Sequence, residues 1–123
     1  MVAKYGWPER IIVWALTLVF LAAGVAKIMG APDVVAIFER FHLPHWFMLV
    51  TAGVEIIGAL GLHLRRGMIG LAAPALLAVT MIVGAGFHVA YDTPPQAMPA
   101  AVLALLALTV LILRRPRKEG VAA

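Results

Sequence analysis

The sequence predicts an all-α integral membrane protein: a four-helix bundle with a short amphipathic helix between its first and second spans. Three observations lead there. Of 123 residues, 63% are hydrophobic and only 13% are charged, whereas a soluble domain usually carries about 25% charged residues. The apolar excess is spread over the whole chain, more than one small core has the volume to bury. It also falls into four runs of about 18–23 residues, each long enough to cross roughly 30 Å of hydrocarbon.

The predicted spans are 11–29, 46–64, 68–90 and 96–113, in a single transmembrane domain over residues 1–123. The first run begins after Lys4 and Arg10. That basic start, with Ala22, Ala23 and Ala26 downstream, has the outline of a signal peptide; we read it as the first membrane helix. Trp7 and Trp14 suit an interface, and Pro8 is tolerated in a first helical turn. Gly30-Ala31-Pro32 should end the run. Residues 33–41 follow, with Asp33 expected as N-cap. Val34, Val35, Ile37, Phe38 and Phe41 recur at helical spacing, with Glu39 and Arg40 opposite. This segment is too short to span and reads as the amphipathic helix. Leu43-Pro44-His45-Trp46 is a turn. Arg65-Arg66-Gly67 joins the second and third spans. Pro74 predicts a kink and not a break, provided that a neighbour takes the freed carbonyl. Asp92-Thr93-Pro94-Pro95 is the last turn, and Arg114, Arg115, Arg117 and Lys118 read as a polar tail.

Four spans put both termini on one side. That side would carry Lys4, Arg10, Arg65, Arg66, Arg114, Arg115, Arg117 and Lys118, against Lys27 and Arg40 on the other. The positive-inside rule then predicts cytoplasmic termini and a multi-pass protein of the inner (plasma) membrane. The net charge of +4 is read as a topology signal. No basic-aromatic groove for nucleic acid is visible. With no cysteine, thiol exchange and cysteine-ligated metals are excluded for this chain. No phosphate-cradling loop, nucleophile elbow or paired catalytic carboxylates occur, so catalytic residues are not assigned and a self-sufficient enzyme is not expected.

Three ionisable residues fall inside the spans: Lys27, Glu55 and His88. Burying such a charge at mid-helix costs about 2.5–3.5 kcal/mol on insertion scales for Asp, Lys or Arg, so each needs a partner or a task. Glu55 lies roughly 13 Å below the outer boundary. Lys27 and Glu55 sit on helices of opposite direction, and helical side chains lean toward their own N-terminus. They therefore lean toward each other across a gap of about 10 Å along the membrane normal. Plainer readings stand beside this: Glu55 as protonated glue between helices, Lys27 snorkelling to the headgroups, His88 merely interfacial. Thr51, Gly58 and Ala59 flank Glu55, Gly24 precedes Lys27, and Thr80, Gly84 and Ala85 share the His88 face. Small residues let helices approach closely, so all the glycines are read as packing residues. Lys27, Glu55, His88, Thr51 and Tyr91 are the candidate pocket, with Tyr91 and Asp92 at its mouth. No metal site is expected. The nearest set, His42, His45 and His88, is interrupted by Pro44 and has no helical ligand spacing.

Three segments carry a family resemblance. Phe20-Leu21-Ala22-Ala23-Gly24-Val25-Ala26-Lys27, Thr51-Ala52-Gly53-Val54-Glu55-Ile56-Ile57-Gly58-Ala59-Leu60-Gly61 and Gly84-Ala85-Gly86-Phe87-His88 resemble, in order and spacing, the motifs of DoxX-like membrane proteins. The resemblance implies a four-helix membrane fold and a link to respiratory redox chemistry, since the family's namesakes are subunits of a thiosulfate:quinone oxidoreductase. The first functional expectation is therefore an accessory subunit of a quinone-linked membrane assembly, partnered by lipid and by other membrane subunits or copies of itself. The alternative is a stand-alone binder of a quinone or lipid through the Lys27–Glu55–His88 pocket, with quinone as a non-covalent ligand. A transporter or proton path ranks third, because the sequence has no inverted repeat or broken helix pair.

Overall fold

In the computed structural model, residues 6–64, 67–92 and 94–114 are described, Pro94 for its backbone alone. Lys4, Arg65, Arg66, Thr93, Arg115, Arg117 and Lys118, which entered the charge count or the turn assignments above, lie outside them. The described residues form five helices: α1 (Gly6–Met29), α2 (Pro32–Arg40), α3 (His45–Gly61), α4 (Gly67–Tyr91) and α5 (Pro94–Arg114).

Helix α1 stops where the glycine allows it to. Gly30 takes φ +69°, the left-handed conformation that costs a side-chain-bearing residue most. Its N–H donates to the Lys27 carbonyl at 3.1 Å, and the Ala31 N–H to the Ala26 carbonyl at 3.0 Å. This is the paired Schellman ending, which satisfies two terminal carbonyls. Helix α2 begins one residue earlier than predicted. Its N-cap is Ala31, without a side-chain cap, and Asp33 is not the cap. Pro32 occupies the first helical position, where its missing N–H needs no partner. Asp33 instead sits in the first turn, where negative charge favours the helix dipole.

The second long helix also differs from its predicted range. It ends at Gly61 and not at 64, because the chain turns at Leu62, whose N–H is shared by the carbonyls of Gly58 and Ala59. At 17 residues, α3 is about 25 Å long. Helices α1, α4 and α5 are each long and apolar enough to cross a bilayer, and α3 joins them when paired with α2 across a 115° bend. The protein is thus an all-α membrane bundle with a short helix inserted before its second long one.

The long helices form a ring in which α1 packs on α3 and α5, and α4 packs on α3 and α5. Its centre is filled by Leu16, Phe20, Ala59, Leu77, Ala107 and Val110. The outer faces are apolar as well: Leu18, Ile57, Ile82 and Leu105 are all more than half exposed. Apolar residues both inside and outside, with backbone groups satisfied within helices, make a structure suited to lipid as solvent.

Two glycines hold the helices close. A Cβ on Gly24 would lie 2.5 Å from the Cγ1 of Ile56, and one on Gly58 would lie 2.7 Å from a methyl of Leu77. The first fixes α1 on α3, the second α3 on α4. Gly30, Gly53, Gly67, Gly84 and Gly86 have nothing within 4 Å of an added Cβ, so the packing role predicted for every glycine is corrected for these five.

Candidate functional site

Polar side chains gather at the two ends of the bundle. At one end, the close approach at Gly24 brings α1 and α3 together just where Lys27 and Glu55 project. Lys27 Nζ donates to Glu55 Oε1 at 2.7 Å, and both side chains are largely buried. The ammonium also lies 5.9 Å from the centre of the Phe38 ring, within reach of a cation–π contact.

A second charged group stands beside this pair. Arg40 Nε donates to Asp92 Oδ1 at 2.8 Å and its Nη2 to Oδ2 at 3.3 Å. His88 Nδ1 lies 2.8 Å from Asp92 Oδ2, one helical turn away. The hydrogen bond from Arg40 is the main reason that the Asp92 carboxyl ionises below the usual aspartate range, aided by His88 and opposed by partial desolvation. The same contact raises the Arg40 guanidinium further. An Arg–carboxylate fork of this kind holds geometry as well as charge.

Between α3 and α4, roofed by α2, lies a cavity of about 450 Å³. Lys27, Glu55, Thr51 and His88 all line it, whereas Tyr91 is not among its lining residues. Tyr91 is half-exposed and stacks on Phe87, with ring centres 6.1 Å apart, and edge-on to His42 at 5.5 Å. Apart from Thr80, the remaining walls are apolar and aromatic, with Phe41 and Phe87 stacked at 5.3 Å. Val50, Val79 and Val83 line the cavity and are at least half exposed. The space left open at Gly84 adds to its volume. Among the described residues no group of three or more His, Cys, Asp or Glu side chains is disposed to hold a metal ion; His42, His45 and His88 do not form such a set.

At the other end the structure corrects the reading of Arg114 as part of a polar tail. Its side chain is only 4% exposed. Nε donates to Glu9 Oε2 at 2.7 Å, Nη1 to the Gly70 carbonyl at 3.1 Å, and Nη2 to the Leu62 carbonyl. Gly70 is four residues before Pro74, so its carbonyl has no helical N–H to accept from. The neighbour that Pro74 requires is therefore the guanidinium of α5, and α4 continues through the proline unbroken. Leu62 is the C-cap of α3. One guanidinium thus ties the starts of α1 and α4 to the ends of α3 and α5, which fixes the up-down alternation of the ring. Nearby, Thr17 donates to the Val13 carbonyl at 2.7 Å and lies 2.9 Å from His63 Nε2.

Neither the Glu9–Arg114 nor the Arg40–Asp92 contact was read from the sequence. A signal existed: the chain has only six acidic residues, and an acidic residue beside an apolar run must find a cation somewhere. The partners lie 105 and 52 positions apart, beyond any local pattern.

Comparison with known proteins agrees with the fold. A Bacillus subtilis (strain 168) protein described as "Uncharacterized protein YdgD" is 31% identical over 103 residues, covering 80% of this chain and 87% of that one. No solved structure matches the chain. The sequence model of the DoxX-like family matches residues 11–110, which contain all four long helices in whole or nearly so together with the whole cavity, and the chain belongs to that family.

Proposed function

We propose that the protein binds a lipophilic small molecule, of quinone or lipid character, in the cavity between α3 and α4. The polar head rests against Lys27, Glu55 and His88, and the tail lies along the valine-lined opening. One observation carries this reading: an ion pair lines a largely apolar cavity, and three of the valines lining it, on two membrane helices, are at least half exposed. An intramembrane charge pair is expensive and marks function by default. A site with apolar walls and a few convergent polar groups is the usual form of a small-molecule pocket. Access is sideways from the bilayer, with the termini in the cytoplasm and the cavity near the opposite leaflet.

An accessory role in a quinone-linked redox assembly comes second; it draws on the family resemblance. A continuous proton path fits less well. Leu16, Phe20 and Leu77 are fully buried between the two polar ends, and the ten residues from Thr17 to Lys27 make roughly 15 Å of that gap.

Native mass spectrometry of the protein released gently from its membrane tests both readings. A bound mass of a few hundred daltons, lost in Glu55→Gln while the bundle stays folded, supports the pocket. Unchanged occupancy in that variant sinks it, and a stoichiometric protein partner favours the subunit role.

A further inference from the structure

The two ring nitrogens of His88 have different surroundings. Nδ1 faces Asp92 Oδ2 at 2.8 Å, and an ionised carboxylate only accepts. The hydrogen therefore sits on Nδ1. Arg40 grips both oxygens of Asp92, so the carboxylate keeps its place. The Phe41 ring, edge-on at 4.9 Å, fixes the plane of the imidazole. Charge is already balanced around it: Arg40 against Asp92, Lys27 against Glu55. A neutral imidazole with hydrogen on Nδ1 has a lone pair on Nε2.

That lone pair is unmet. Among the described residues Nε2 has no hydrogen-bond partner, while His88 lines the cavity with 20% of its side chain accessible. The two cavity hydroxyls do not supply it: Thr51 donates to the Met48 carbonyl and Thr80 to the Leu76 carbonyl, both at 2.8 Å. The ammonium of Lys27 is turned to Glu55. An unpaired acceptor on a residue that lines a largely apolar cavity selects for a donor, since a ligand that displaces water from it without donating leaves it unpaired.

We infer that the cavity takes a hydroxyl-bearing lipophile, whose O–H donates to His88 Nε2 and whose tail lies between α3 and α4. This rests on the binding reading above and names the class of head group it leaves open. Arg40 and Asp92 are positioning residues, since they act through the imidazole.

The test uses the full chain in lipid nanodiscs, labelled with ¹⁵N-histidine, and two probes with one tail: 4-nonylphenol and its methyl ether, 4-nonylanisole. The imidazole spectrum of His88, assigned with His88→Gln, is followed through each titration. The expected result has three parts. His88 carries its hydrogen on Nδ1, the phenol moves the Nε2 resonance, and the phenol binds about tenfold tighter than the ether. In His88→Phe the two probes bind alike. Equal binding of both probes to the natural chain, or hydrogen found on Nε2, overturns the hydroxyl inference and leaves the cavity reading standing. Binding of neither probe overturns both. The comparison of probes on the natural chain does not depend on any variant folding.

Discussion

Replacing Arg114 with methionine removes the guanidinium and keeps a side chain of similar length. Three acceptors lose the guanidinium at once: Glu9, the Leu62 carbonyl and the Gly70 carbonyl. Hydrogen bonds inside membrane bundles average about 0.6 kcal/mol in double-mutant cycles, so three set a floor near 2 kcal/mol. Removing one side of a buried ion pair costs about 3–5 kcal/mol in water-soluble proteins, which sets the ceiling. We expect Arg114→Met to lose ~2–5 kcal/mol, and Glu9→Gln, which keeps an acceptor for the guanidinium, about 1 kcal/mol. The double variant should lose less than the two singles together, because the charge it leaves behind is gone. Reversible unfolding in mixed micelles, followed by helical circular dichroism, gives the four corners of the cycle. Additive losses, or a loss under about 1 kcal/mol for Arg114→Met, would refute the idea that one side chain binds the four helices. Adding Pro74→Ala to Arg114→Met should recover part of the loss, since the new N–H can serve Gly70.

Gly24→Ala should destabilise the bundle by about 1–3 kcal/mol, the usual range for overpacking, because its Cβ meets Ile56 at 2.5 Å; the same micelle unfolding measures it, and a neutral result would mean that α1 and α3 are not so tightly apposed. Gly84→Leu should leave stability intact or slightly raised, since nothing lies near its Cβ, yet fill the cavity and abolish ligand mass in native spectra. Folding depresses the Asp92 carboxyl, chiefly through Arg40. Its contribution is therefore fully present above the ordinary aspartate value of about 3.9 and is lost as pH falls through the lower folded value. The stability difference between the natural chain and Asp92→Asn, measured from pH 6 downward, should stay level and then shrink under acid; a difference that grows under acid would contradict the assigned direction.

The membrane helices were legible because lipid imposes a length and an apolar composition that composition alone reveals. The stop at Gly30 was legible because the left-handed ending needs a glycine, and the approach of Lys27 to Glu55 because side chains on opposed helices lean toward each other. The early end of α3 was not, since Leu62, His63 and Leu64 continue its apolar composition while the backbone already turns. Arg114 was misread because four basic residues stand together in the sequence at 114–118, and nothing local says that one of them turns inward. The Glu9 carboxylate, the Leu62 carbonyl and the carbonyl freed by Pro74 become a site for it only when four helices have met. The cavity itself is a property of how α3 and α4 part beyond Gly58, which no single segment encodes.

The guanidinium node also has a consequence for biosynthesis. Glu9 leaves the ribosome first and its partner follows 105 residues later, after every other helix of the ring has been made. Insertion of the early helices and closure of the bundle are then separate events, and the earlier spans must wait in the bilayer with Glu9 and the Gly70 carbonyl not yet served by Arg114. Closure becomes a late, single step that reports completion of α5, and a chain cut before Arg114 should be inserted but left unlatched, a natural target for membrane proteases.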